Sequence, residues 1–246
     1  MPNQICISPK TKSPIFFILG FVFILPSYAL AQNEKPKDCR WEIHVGGTGA
    51  YTDFSSFSNL FNANFEHDYS FRPELMAGSN LGFSVSLNRL ALTVGIEKLY
   101  LKKSEGLLEA EFQNAGGYLW VSYDFPLKKF VIRPIVGMSH NFSRSNFSSS
   151  SFGGNPSISG LANSYQIDWE TWQIDFGLYV GTYFRLRELG NNQRINLGLR
   201  FIQMENVHSN KPLDSNGNSV VGVNELNTSR TNLSFIIGIP LNFMSP

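Results

Sequence analysis

Cysteine is nearly absent from this chain: Cys6 and Cys39 are the two present in 246 residues. Cys6 falls in a segment read below as a removable leader, so the remaining chain cannot close an internal disulfide. Cys39 lies just before the first strand and is read as incidental, not catalytic. An excess of charge of either sign is also missing. The formal balance is +1, which argues against a nucleic-acid partner and against a strongly basic membrane-surface patch. The apolar run at 15–25 covers roughly 11 residues, too short for a bilayer-spanning helix of about 20. No linker interrupts the rest, and no repeat appears beyond a recurrent hairpin rhythm, so it reads as one domain.

What is present begins with a secretory signal. Lys10 and Lys12 precede the apolar run, and Pro26 and Ala29-Leu30-Ala31 follow it before the polar Gln32-Asn33-Glu34. Small residues occupy the two positions a signal peptidase reads, and no cysteine follows them as a lipoprotein would require. The expected organisation is a signal peptide over 1–31, a periplasmic N-terminal segment over 32–40, and a barrel domain over 41–246.

The barrel reading starts at the C-terminal end. Leu233, Phe235, Ile237, Ile239, Leu241 and Phe243 alternate with Asn232, Ser234, Ile236, Gly238, Pro240 and Asn242. One large apolar face opposite a small or polar one suits a strand with lipid on one side and a packed, partly polar lumen on the other. A soluble sandwich could show the same period. The same alternation runs upstream. Trp41, Ile43, Val45 and Tyr51 share one face of a first strand, with Glu42, His44 and Thr48 on the other. Leu81, Phe83, Val85 and Leu87 descend to a tight turn at Asn88-Arg89, and Leu90, Leu92, Val94, Ile96 and Tyr100 ascend from it. Further hairpins turn at 126–129 and 188–193. The polar stretches 55–72, 102–111, 143–166 and 206–229 are expected to be four outer loops. In the first of them, Phe54, Phe57, Phe61 and Phe65 have helix-like spacing.

Short turns at one end and long loops at the other characterise a barrel inserted from the periplasm, and a sandwich follows no such rule. Trp41, Tyr51, Tyr100, Tyr123, Phe125, Phe130, Trp172, Phe184 and Phe243 fall near the ends of the apolar bands, as interfacial girdles do. The predicted fold is therefore all-β: an eight-stranded antiparallel up-and-down transmembrane β-barrel. Pro134 and Pro240 fall within its strands, where bulges are expected to absorb the missing N–H groups. Lys98 falls in the lipid-facing row, and is expected to reach the interface or follow a bulge.

The signal peptide, roughly eight strands and the final Ile237-x-Ile239-x-Leu241-x-Phe243 resemble the outer-membrane β-barrel superfamily, of the OmpA/OmpX size class and especially the porin-family, PorT-like barrels of Bacteroidota. Met244-Ser245-Pro246 after Phe243 departs from the aromatic ending usual there. The resemblance implies an outer-membrane location, with extracellular loops and periplasmic termini. It implies lipids, lipopolysaccharide and the barrel-assembly machinery as partners, and adds a secretion system as a candidate.

Chemistry is sparse. Glu42, Glu97, Asp124 and Asp175 face the lumen against Arg133 and Arg200, as a structural network or a charged ion path. Gly78, Gly95, Gly177 and Gly198 on the same face are expected to make room for Tyr118, Trp120 and Tyr179. His140 and Ser143 are the nearest approach to a nucleophile and base, but on a strand they point to opposite faces and no acid is near. No cofactor is required. One candidate metal loop remains: Asp214, Asn216, Asn218 and Glu225 occupy the first, third, fifth and twelfth positions of a calcium-loop template, with Ser219 where glycine belongs. A plain Asn-Gly-type turn between polar loop arms is the default reading of them. His67, Asp68 and His208 could approach one another without any metal-ligand spacing. Three roles follow: a non-catalytic barrel with a filled lumen serving envelope integrity or loop binding, a small ion or solute pore, and a lipid-modifying enzyme.

Overall fold

The computed structural model describes residues 39–58, 72–105, 108–149, 164–185, 194–220, 226 and 229–241. The expected signal peptide, Phe61, Phe65, His67, Asp68, the turn at 188–193, Glu225 and Phe243 lie outside the described residues, as does most of 32–40.

The strands in chain order are β1 (Cys39–Thr52), β2 (Glu74–Leu87), β3 (Leu90–Glu105), β4 (Leu108–Tyr123), β5 (Phe125–Leu127), β6 (Phe130–Ser149), β7 (Ser164–Arg185), β8 (Arg194–Ser209), β9 (Leu213–Asp214) and β10 (Arg230–Leu241). All pairings are antiparallel, and β1 with β10 and β6 with β7 close the sheet on itself. β5 prolongs β4 along β6 in unchanged register, and β9 is a short addition to β7. The ring is thus an eight-stranded up-and-down barrel, whose first strand starts at Cys39, slightly ahead of the expected Trp41.

Side-chain alternation sets the two faces. In β10, Leu233, Phe235, Ile237 and Ile239 are exposed while Asn232, Ser234, Ile236 and Gly238 are buried. The same parity in β2 and β3 exposes Leu81, Leu92, Val94 and Ile96 and buries Asn80, Ser84, Thr93 and Glu97. An apolar belt on this scale is far beyond the exposed patches of water-soluble monomers. Lipid accommodates it, and closure leaves no unpaired strand edge in the hydrocarbon. Trp41, Tyr51, Tyr100, Phe125, Phe130, Trp172 and Phe184 stand exposed at the belt margins. Tyr123 departs from the expected outward row and is buried.

The tight turns are built on Asn88 (φ 57) and Lys128 (φ 41), both in the left-handed region that short hairpins demand. Pro134 interrupts the ladder without a bulge. The β4–β6 pairing stops at Ser122↔Ile135 and the β5–β6 pairing resumes at Phe125↔Ile132, so the missing N–H divides one strand into two. Pro240 pairs with Glu42 beyond the last β8–β10 pair. The described register shift lies instead between Trp172 and Gln173 of β7.

Three expected loops are shorter than their polarity implied. Residues 102–105 and 108–111 remain paired, from Lys102↔Glu111 to Glu105↔Leu108. Residues 143–149 belong to β6, 164–166 to β7 and 206–209 to β8. Above the lipid the outward row no longer needs to be apolar, so polarity marks the end of the bilayer and not the end of the strand.

Candidate functional site

The lumen is filled in layers. At the loop end, Asp53 leads into a single helical turn at 55–58 that lays Phe54 and Phe57 inward. Phe54 packs on Phe112 at 4.2 Å, and Phe57 meets Phe112 at 5.4 Å and Trp169 at 5.3 Å between ring centroids. Phe147, Ile167 and Leu226 complete this apolar cap. Phe54 and Phe57, the described members of the helix-like phenylalanine spacing, thus plug the loop end of the lumen.

Beneath the cap lies a polar layer centred on Arg230. Its Nη2 donates to Glu97 Oε1 at 3.1 Å and to Asn141 Oδ1 at 2.9 Å, and its Nη1 donates to Asn114. Asn232 donates to the same Glu97 oxygen at 2.8 Å. Sequence reasoning missed Arg230 because it borders a polar loop. Its signal was parity: it lies two residues before inward-facing Asn232.

The layer toward the turn end is aromatic. Tyr118 and Trp120 stack at 3.7 Å, and Arg200 lies over the Trp120 ring at 4.4 Å. Trp120 Nε1 donates to Asp175 Oδ2 at 2.6 Å, and Ser139 Oγ to Asp175 Oδ1 at 2.9 Å. Gly95 and Gly198 make these rings possible, since a Cβ at either would collide with Tyr118 or Tyr179. Gly78 and Gly177 face neighbouring backbone and Ile202 instead of aromatic rings. At the turn-end rim, Arg133 grips Asp124 through Nε and Nη2, the latter at 3.1 Å. Glu42 accepts from Asn196 at 3.2 Å and lies 3.5 Å from His44.

All six lumen charges read from the sequence face inward, but they do not form one network. Arg133 joins Asp124, Glu97 joins Arg230, Asp175 is held by neutral donors, Glu42 sits with His44 and Asn196, and Arg200 is in no ion pair among those described.

The other candidates separate. The His140 ring stacks on Trp172 at 4.3 Å and, against the expectation that no acid is near, its Nε2 lies 3.5 Å from Glu170, whereas Ser143 is buried in the lumen and accepts from Asn114 at 2.7 Å. Asp214 closes an Asx turn. Its Oδ1 accepts the Asn216 and Asn218 amides at 2.9 and 2.8 Å, its Oδ2 accepts Asn218 Nδ2 at 3.3 Å, and Gly217 follows at φ 80. The Asn218 amide, foremost among these donors, holds the Asp214 carboxyl below its ordinary range. His208 lies against Asn210 at 3.2 Å.

Outside the wall, near the loop end, a groove of about 360 Å³ runs past Lys98, Phe142, Arg144, Glu170, Asn210 and Lys211. Lys98 stays in regular register opposite Ser79 and Ala115 with no bulge. Arg144 is paired with Asp168 at 2.8 and 2.9 Å.

This fold and belt define a transmembrane-type β-barrel. No family profile matches the sequence, and no curated protein does. Among solved structures, the chain is similar to a major outer membrane protein from Thermus thermophilus, at 11% identity and TM-score 0.50, over 81% of this chain and 99% of that one. It is also similar to Ail, the attachment invasion locus protein of Yersinia pestis, at 11% identity and TM-score 0.47, over 83% and 100%. Neisserial surface protein A matches at 12% identity and TM-score 0.43, over 81% and 96%. The first of these supports the barrel fold.

Proposed function

We propose that this chain is an exported, non-catalytic outer-membrane barrel whose body is a sealed anchor and whose loop end does the binding. The observation that carries the reading is the contrast in space. The lumen cavities beside Arg230 and Arg200 hold about 20 Å³ each, whereas the groove at the loop end holds about 360 Å³. Ions need a continuous wet path. Here the aromatic cap, the Arg230 layer and the Tyr118–Trp120 stack lie in series across the lumen.

A non-catalytic role is supported by the opposed directions of His140 and Ser143, which no strand repacking reconciles. The Asp214 turn serves as structure in this reading, because amide protons already converge on the carboxylate that a calcium ion would need. Lipids and lipopolysaccharide contact the belt, the barrel-assembly machinery inserts the chain, and loops face outward with termini in the periplasm. The PorT-like resemblance makes a secretion-system component the first protein to test at the loop end.

The alternative, a small pore, draws on the inward charges. Refolded barrel in a planar bilayer is expected to be electrically silent across salt and voltage. Reproducible conductance steps that shift on replacing Arg230 would overturn the sealed reading in favour of the pore.

A further inference from the structure

Among the described residues three guanidinium groups enter the barrel, and two are matched: Arg133 to Asp124, and Arg230 to Glu97. Arg200 is 3% exposed, and neither its Nε nor its Nη2 meets an acceptor among the described residues. The Trp120 and Tyr118 rings beside it, at 4.4 and 5.5 Å, favour the cation through their faces. The Tyr118 hydroxyl also bonds the guanidinium, but Nε and Nη2 are left without a lone pair, and a buried donor without an acceptor is costly. The lumen carboxylates do not supply them: Asp175 is held by Trp120 and Ser139, and Glu42 by Asn196.

The same Arg200 lines a cavity of about 20 Å³ with Ser122, Thr93, His44, Arg133 and Tyr179. That exceeds the ~10–15 Å³ that seats one water-sized particle. Ser122 Oγ is buried there and likewise without a partner. Other polar groups of the wall are engaged: Thr93 with Ser84 at 2.7 Å, His44 Nε2 near Ser84 at 3.4 Å and Glu42 at 3.5 Å, and Tyr179, donating to Asn196 at 2.6 Å. The uncommitted groups are therefore two cationic N–H donors and one hydroxyl, next to a second guanidinium. A water there would give a proton to the Ser122 oxygen but leave the guanidinium charge uncompensated, whereas an anion takes all three donors and neutralises that charge.

We propose that the lumen contains a buried site for one small monovalent anion of chloride size, held by Arg200 Nε and Nη2 and by Ser122 Oγ. This stands apart from the binding role of the loops and concerns how the plug is completed.

The test uses the refolded full-length mature barrel in detergent micelles. Its unfolding midpoint is followed by the heat-induced gel shift at fixed ionic strength, while sodium gluconate, whose anion is too large for the cavity, is exchanged for sodium chloride or bromide. A saturable rise of the midpoint with either halide is expected. Arg200→Gln should abolish the rise. Ser122→Ala, which removes one hydroxyl and keeps the cation, should raise the half-saturating halide concentration about tenfold. A wild-type midpoint identical in all three salts overturns the site, as does a non-saturating rise shared by every variant. If Arg200→Gln does not refold, Ser122→Ala decides alone, and an unshifted titration there overturns the assignment. In bromide-soaked crystals, an anomalous peak between Arg200 and Ser122 supports the site and its absence overturns it.

Discussion

Removing Arg230 leaves Glu97, 4% exposed, as a buried charge without its cation. Arg230→Met should therefore destabilise the barrel by about 3–5 kcal/mol, read from urea unfolding in lipid vesicles. Adding Glu97→Gln to it should recover much of that loss, because a neutral amide no longer requires a counter-charge. Gly95→Ala places a methyl against the Tyr118 ring and the Leu81 carbonyl. The expected cost is about 1–3 kcal/mol, measured in the same titration, and a neutral result would mean that the ring has room to shift. At Asp214 the prediction concerns pH. Its carboxyl is depressed in the folded turn, so the contribution to turn stability is fully present above the ordinary aspartate value near 4 and is lost as pH falls through the depressed one. Amide exchange at Asn216 and Asn218 should stay slow through mildly acidic pH and quicken only below the usual carboxylate range. Inward or outward placement at this scale was legible from parity alone, which put Glu97, Asp175 and Arg200 in the lumen. Which cation serves which carboxylate was not, because pairing across the lumen joins residues as far apart as Glu97 and Arg230 and no local period encodes it.

The segment at 53–58 behaves as a stopper. Asp53 donates its amide to the Ser229 carbonyl at 3.3 Å, tying the end of β1 to the approach of β10, while Phe57 fills the centre of the cap. Phe57→Ala should cost about 3–5 kcal/mol by cavity formation yet leave a planar bilayer silent, since the Arg230 layer lies beneath it. Conductance in that single variant would show that the cap alone seals the barrel. The alternating strands and tight turns could be read in advance because lipid on one side and a packed lumen on the other impose a strict period of two. Strand ends could not. The run 143–149 is rich in serine and asparagine yet continues β6, with Ser145 and Phe147 buried and Arg144 outward. Outside hydrocarbon a ladder tolerates either polarity on its outer row, so composition cannot distinguish it from loop. Pro134 likewise gave the position of a defect but not its form, a divided strand without a bulge.

For the molecule as a whole, ring closure was the most readable property, since a bilayer forbids a free edge and β1 and β10 had to meet. The interior order of cap, charge layer and aromatic stack was hidden, because small inward residues such as Gly95 and Gly198 show that something large sits opposite without saying what. The barrel wall is also uneven. β6 and β7 run 20 and 22 residues, whereas β10 and β1 run 12 and 14. At about 3.3 Å per residue and a tilt near 40°, the longer side stands roughly 20 Å higher. The rim of the described strands is therefore a slope with a front and a back. Among the described residues, a bulky visitor descending along the membrane normal meets the raised flank of β6 and β7 before it reaches the level of β1 and β10. Rotation about that normal, irrelevant for a level cylinder, becomes part of what the molecule can distinguish.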